Sequence, residues 1–233
     1  MKYSKLFLAT AIILSSYCAS AQTADEVINK NIEAMGGRQK LGSLNTVKMT
    51  GNLNAQGTDV ALVMTKTQNV GVRVDLEIMG TSNYQVANSK GGSVFMPIMG
   101  MAEPKAMDNA QFKSALLQSN IRGQLLNYKE DGTNIVMEGG EKVDGADAFK
   151  LKVTNKLGDT TTIFIDKKNY HVVKSLSKTN VNGQEMEIES SYNNYKQNEG
   201  GFWFPYSVTS AQGTIIFDKI ETNIPVDEAI YSN

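Results

Sequence analysis

The side chains that could do chemistry are few, and their spacing does not favour it. His171, the only histidine in 233 residues, stands in Asn169-Tyr170-His171-Val172-Val173 at the start of a strand-like run. A lone imidazole there is more often a strand or surface residue than a base. A serine nucleophile would want Gly-x-Ser-x-Gly between a strand and a helix, but Gly91-Gly92-Ser93 lacks the closing glycine and precedes a strand. Glu185, Glu187 and Glu189 put three carboxylates on one face of an alternating run. A hard cation would need further oxygen ligands from loops, so solvent explains this row better than Ca²⁺ or Mg²⁺. No phosphate loop or dinucleotide fingerprint is present. The expectation is a protein that is not an enzyme, with no catalytic residues, no metal and no cofactor.

The amino terminus reads as an export signal. Lys2 and Lys5 precede an apolar run from Leu6 to Leu14, and Ala19-Ser20-Ala21 stands before Gln22. Residues 1–21 are therefore expected to be a secretory signal peptide, with delivery to the periplasm and a mature chain of 22–233. The run is shorter than the ~20 residues of a membrane-spanning helix. Cys18 follows Tyr17, where a lipid-modified cysteine would want a small residue, so the mature protein is expected without a lipid anchor. Loss of residues 1–21 removes the single cysteine, excluding disulfides and thiolate sites. It also leaves 21 basic against 24 acidic residues, a formal charge of −3. No basic cluster offers a footprint for nucleic acid.

The elements that must position any site are two helices in a field of strands. Thr23 with Glu26 forms a capping box, and Ile28, Ile32 and Met35 give the first helix one apolar stripe before Gly36-Gly37. A second helix is expected to start at Asp108 with Gln111, carrying Phe112, Ala115, Leu116 and Leu117. Elsewhere apolar and polar residues alternate with period two, as in strands with one dry and one wet face. Val47, Met49 and Leu53 oppose Lys48, Thr50 and Asn52, and Val72, Val74, Leu76 and Ile78 oppose Arg73, Asp75 and Glu77. Phe149, Leu151 and Val153 oppose Lys150, Lys152 and Thr154, while Met186 and Ile188 oppose the three glutamates. Turn residues recur between the runs, among them Asp144-Gly145, Gly158-Asp159, Asn182-Gly183 and Gln212-Gly213. The expectation is a mainly β single domain of roughly ten or eleven antiparallel strands.

A meander that long with one apolar face must curl, because a flat one would leave the face wet and its edges open. Alternation alone leaves open whether the interior is filled or hollow. Between the early strands and the second helix lies Met96-Pro97-Ile98-Met99-Gly100-Met101, followed by Met107. Methionine is flexible and polarizable, so such a segment suits either a soft lid over an apolar ligand or simple filling of core gaps.

Taken in order, several segments resemble the periplasmic lipoprotein-carrier superfamily of LolA-like and LolB-like proteins. They are the first helix with Gly36-Gly37, Arg73 in Gly71-Val72-Arg73-Val74, and Ala148-Phe149-Lys150-Leu151. Thr162-Ile163-Phe164-Ile165-Asp166, Gly201-Phe202-Trp203-Phe204-Pro205 and the tail from Ile220 to Asp227 continue the series. The resemblance implies an unclosed antiparallel β half-barrel with a helical lid, a monomer whose apolar lumen accepts acyl chains of a lipoprotein or other lipid for delivery towards the outer membrane. Membrane donor and acceptor proteins would be its partners; a lipid sensor or scaffold with the same fold is the alternative. On this reading Leu53, Val74, Leu76, Phe149, Leu151, Met186 and Ile188 line the lumen. Met96, Met99, Met101, Met107, Phe112 and Leu116 belong to the lid. Arg73 is the candidate for tying the lid to the barrel, although alternation puts it on the wet face, where pairing with a neighbouring carboxylate is the plainer role.

Overall fold

Helix α1 (Ala24–Ala34) forms where its capping box allows. Thr23 Oγ1 accepts from the Glu26 amide at 3.2 Å, and Glu26 Oε2 accepts from the Thr23 amide at 2.9 Å. Left-handed Gly36 (φ 115°) and Gly37 (φ 91°) end it, and the short α2 (Arg38–Gly42) follows. Asp108 and Gln111 make the same reciprocal pair ahead of α3 (Asn109–Leu117), at 2.8 and 3.2 Å. The computed structural model describes residues 22–232, apart from 56, 157, 182 and 183 and the side chains of 179–186. The expected signal peptide, Cys18 and the Asn182-Gly183 turn lie outside the described residues.

The strands are β1 (Thr46–Ala55), β2 (Thr58–Thr67), β3 (Gly71–Ile78), β4 (Thr81–Asn88), β5 (Gly91–Phe95) and β6 (Lys105–Ala106) before α3. After it come β7 (Asn134–Val143), β8 (Ala146–Thr154), β9 (Thr160–Asp166), β10 (Val172–Val181), β11 (Gln184–Gln197), β12 (Trp203–Ser210) and β13 (Gly213–Thr222). They form one antiparallel sheet of 13 strands in the order β6-β5-β4-β3-β2-β1-β13-β12-β11-β10-β9-β8-β7. The first long strand thus pairs with the last, and the sheet is left open between β6 and β7. The sequence suggests ten or eleven strands; part of the excess comes from β6, two residues long, and from the β3–β4 hairpin. That hairpin turns at Met79 (φ 51°) and Gly80 (φ 73°), with Ile78 paired to Thr81. Both central residues are left-handed, as a two-residue hairpin loop requires, but methionine is not a residue that announces such a turn.

The sheet is strongly curled. Helix α3 touches β3, β4 and β5 on one side and β10 on the other. On a flat sheet β3 and β10 would lie six spacings apart, roughly 29 Å. A nine-residue helix is about 14 Å long. It can meet both only if the intervening strands bend round beneath it, so the architecture is an unclosed half-barrel with α3 across its mouth.

Two apolar clusters fill part of the interior. Val27, Ile28 and Ile32 of α1 pack with Leu151, Val153, Ile163 and Ile165, and with Leu125 and Leu126 of the crossing connection between α3 and β7. The second joins Leu44, Val47, Met49, Leu62, Phe202, Phe217 and Ile220. The connection is fastened along its course. The Ser119 carbonyl accepts from the Asn69 amide at 3.0 Å, Arg122 Nε donates to the Leu44 carbonyl at 2.9 Å, and Lys129 pairs with Asp25 at 2.6 Å. On the outer face the carboxy-terminal 3-10 turn (Glu228–Tyr231) buries Tyr231 against Gly71, where a Cβ would stand only 2.6 Å from the ring.

Candidate functional site

Register defines the inner face of β1–β5. Met49 pairs with Met64 and Leu53 with Val60; Met64 pairs with Val74, Leu62 with Leu76, Val74 with Gln85, and Gln85 with Val94. Side chains of paired residues share a face, so these positions form one continuous surface, interrupted by polar Asn83, Gln85 and Lys66 and, at its edge, by Thr58 and Thr81. Across β13 and β12 the same surface runs through Ile215 and Val208. Leu53, Met64, Val74, Leu76, Val208 and Ile215 are half-buried, in contrast to the sealed residues beneath α1. The result is an apolar trough on the concave side of the sheet.

Helix α3 lies over the β3–β5 side of this trough without sinking into it; none of its residues is fully buried. A Cβ on Gly92 would meet Met107 Sδ at 2.7 Å and the Phe112 ring at 3.2 Å, so the lid rests directly on a glycine of β5. A narrow cavity of about 20 Å³ remains between Val72, Val74, Ala87, Met107 and Ala115. Beside it a wider one of about 280 Å³ shares Gln85, Met107, Ala115 and Gln118 and reaches Gln212 in the β12–β13 turn. At its middle α3 is clasped by Lys113 Nζ to Asp159 Oδ1 at 2.6 Å, in the turn between β8 and β9. The Lys113 ammonium and the Asn155 amide hold the Asp159 carboxyl below its usual pKa.

The residues expected on the lumen wall do not form one set. Leu53 and Leu76 pack against the second cluster, and Val74 lies beneath the lid. Leu151, at 0% exposure, is packed under α1 and does not line open space, and Phe149 flanks that same cluster and stacks on Tyr170 at 6.1 Å. The correction has a simple cause: alternation shows which face is dry, not which part of it a helix covers. Ile188 is 39% exposed because β11 runs on past Ser190, where its pairing with β12 ends at Ser210. Met186 is in β11, and its side chain lies outside the described residues.

Among the lid residues, Met107, Phe112 and Leu116 are half-buried, and Met107 and Phe112 lie against Gly92 of β5. Met96 and Met101 flank a 3-10 turn (Pro97–Met99) that folds onto β4, where the Ile98 amide donates to Asn83 Oδ1 at 3.3 Å. Met99 is 77% exposed. Arg73 does not reach the lid, because odd-numbered residues of β3 face away from α3. Its Nη2 pairs with Asp75 at 2.8 Å, its guanidinium lies 4.6 Å from the centre of the Tyr84 ring, and Nη1 donates to the Ile230 carbonyl at 3.2 Å. It ties down the carboxy-terminal tail.

His171 is buried against Tyr195 at 4.2 Å and Trp203 at 5.5 Å, and burial lowers its pKa. Glu187 and Glu189 are exposed, with Glu189 paired to Lys174 at 2.8 Å. The described residues contain no group of three or more His, Cys, Asp or Glu placed to hold a metal ion.

Among the described residues, one charged residue stands on the inner face of β1–β5, and the sequence reading passed over it. Lys66 pairs in register with Val47 on one side and Val72 on the other. It continues the phase of Val60, Leu62 and Met64, and burial among apolar neighbours pushes its amine down to about 8.

No protein-family model matches the chain, and no curated protein does. Solved structures do. A LolA superfamily protein from Nitrosomonas europaea aligns with a TM-score of 0.57 and 15% identity over 91% of this chain and 99% of its own. A DUF1329 family protein from Desulfovibrio piger gives 0.57 and 10% identity over 91% and 98%. A domain named for outer membrane lipoprotein sorting, from Vibrio parahaemolyticus, gives 0.51 and 14% identity over 89% and 95%. Identities this low speak for the fold alone: the chain has the open, lidded β half-barrel of LolA-like proteins.

Proposed function

We propose that this chain is an exported, non-enzymatic carrier that holds the acyl chains of a lipoprotein or lipid in the trough beneath α3 for delivery towards the outer membrane. The observation that carries the reading is the half-buried apolar surface of Leu53, Met64, Val74, Leu76, Val208 and Ile215, spanned by a helix that rests on it without closing it. Burial of a methylene contributes about 0.8 kcal/mol, so a sixteen-carbon chain has on the order of 12 kcal/mol of gross burial to offset its ordering. The lipoprotein-sorting name of the similar Vibrio domain supports this cargo class. Export rests on the expected signal at residues 1–21, and delivery to the periplasm would put the carrier between the membranes it would serve. Native mass spectrometry of protein recovered from the periplasm tests the reading. A chain beginning at Gln22 with an extractable acyl lipid is the expected result, and a lipid-free protein that takes up none when lipid is supplied contradicts it.

A further inference from the structure

We propose that Lys66 is the counter-charge for an anionic head group, a carboxylate or a phosphate, on the amphiphile whose chain lies along Met64, Val74 and Leu76. The proposal rests on the acyl-binding reading and adds the class of cargo. Among the described residues, Lys66 is the one charged side chain that register puts on the inner face of β1–β5. Its lateral neighbours Val47 and Val72 are 1% and 3% exposed. No hydrogen bond or ion pair of the described residues engages it, while every fully buried side-chain nitrogen or oxygen among them has a partner. The Lys66 ammonium therefore keeps an opening to its surroundings. A cation stripped of part of its water, left unpaired, yet still accessible, gains most from an anion that arrives with an apolar body.

Among the described residues, register puts no carboxylate on the inner face of β1–β5, so no acid competes there for the ammonium. Lys48 of β1 and Arg73 of β3 alternate to the outer face, and Arg73 is engaged by Asp75. Arg122 of the crossing connection donates to the Leu44 carbonyl and Asn45 Oδ1. Burial alone depresses the amine, which stays protonated at neutral pH and loses its proton near pH 8. From the level of Lys66 the half-buried inner-face positions continue through Met64 and Val74 to Leu76, about 13 Å along the strands, which gives an acyl chain a track that starts at the charge.

The experiment is displacement of a fluorescent fatty acid by hexadecanoate, hexadecyl phosphate and hexadecanol, using the wild type, Lys66→Met and Lys66→Arg. The wild type is expected to bind one or both anions at least about tenfold more tightly than the alcohol at pH 7. The two anions, read separately, distinguish a carboxylate from a phosphate head. Lys66→Met should lose the preference while still binding the alcohol, and Lys66→Arg should restore it. In the wild type the preference should fall as pH rises through about 8, where the arginine variant keeps it. Equal binding of anion and alcohol by the wild type, or a preference that survives in Lys66→Met, overturns the assignment of Lys66 but leaves the carrier reading standing. Failure of the wild type to bind any of the three overturns both.

Discussion

Lys113 and Asp159 meet at 2.6 Å across the mouth of the half-barrel, joining the lid helix to the far side of a sheet whose near side the same helix already touches. The pair is half-exposed, so its contribution to stability is small, under about 1 kcal/mol. Its effect should be kinetic. Lys113→Ala is expected to leave the urea midpoint almost unchanged while speeding both entry and release of a fluorescent fatty acid, as measured by stopped flow. Unaltered rates would mean that α3 does not gate the trough.

The contact between Gly92 and the lid gives a second handle. A side chain at this position must displace Met107 and Phe112, so Gly92→Val should lift α3. Amide exchange in residues 107–117 is then expected to quicken, with α1 unaffected. In the wild type, ligand should slow exchange in the Met96–Met107 segment. Protection there equal to that of the central strands, with and without ligand, would make the segment ordinary core.

Lys66 should also be visible in stability. Its amine titrates near 8 in the folded chain and at the ordinary 10.5 when unfolded, so the native state gives up the proton first. The cost of the buried charge is therefore complete below about pH 8 and shrinks as pH rises towards 10.5. Lys66→Met is expected to be more stable than the wild type by on the order of 2 kcal/mol at pH 7, a gap that narrows by pH 10. Urea midpoints at the two pH values check the sign.

The carboxy-terminal tail belongs to the fold. Tyr231 is 1% exposed, and its hydroxyl lies 2.9 Å from Thr67 Oγ1. Tyr231→Ala should cost about 3 kcal/mol or more in urea unfolding, as truncation of a fully buried aromatic does. A loss below about 1 kcal/mol would show that the tail only lies on the surface.

Much of the fold was legible because local chemistry and tertiary structure agree. The Thr23 and Asp108 capping boxes form as written, and Asp144-Gly145 turns with both residues left-handed between Val143 and Ala146. What escaped depends on contacts distant in sequence. Leu151 and Leu76 read alike as dry-face leucines, yet only Leu151 lies beneath α1. Alternation set Arg73 on the wet face, but nothing local shows that the Ile230 carbonyl comes to meet it. Lys66 carried a usable signal, a charge in phase with Val60, Leu62 and Met64, and such breaks in a dry face mark where to look for function.

The central claim is that the trough is a binding surface and not merely a loosely packed core. The most direct test titrates a fluorescent long-chain fatty acid into the wild type and Val74→Phe, with urea midpoints measured beside it. Val74 borders the narrow cavity beneath α3, so the larger ring takes space that a ligand would use. The account predicts saturable binding by the wild type and at least about tenfold weaker binding by the variant. The accompanying change in stability should stay below the ~1 to 3 kcal/mol of an overpacked core. No saturable binding by the wild type, together with a stability loss in Val74→Phe, would contradict it.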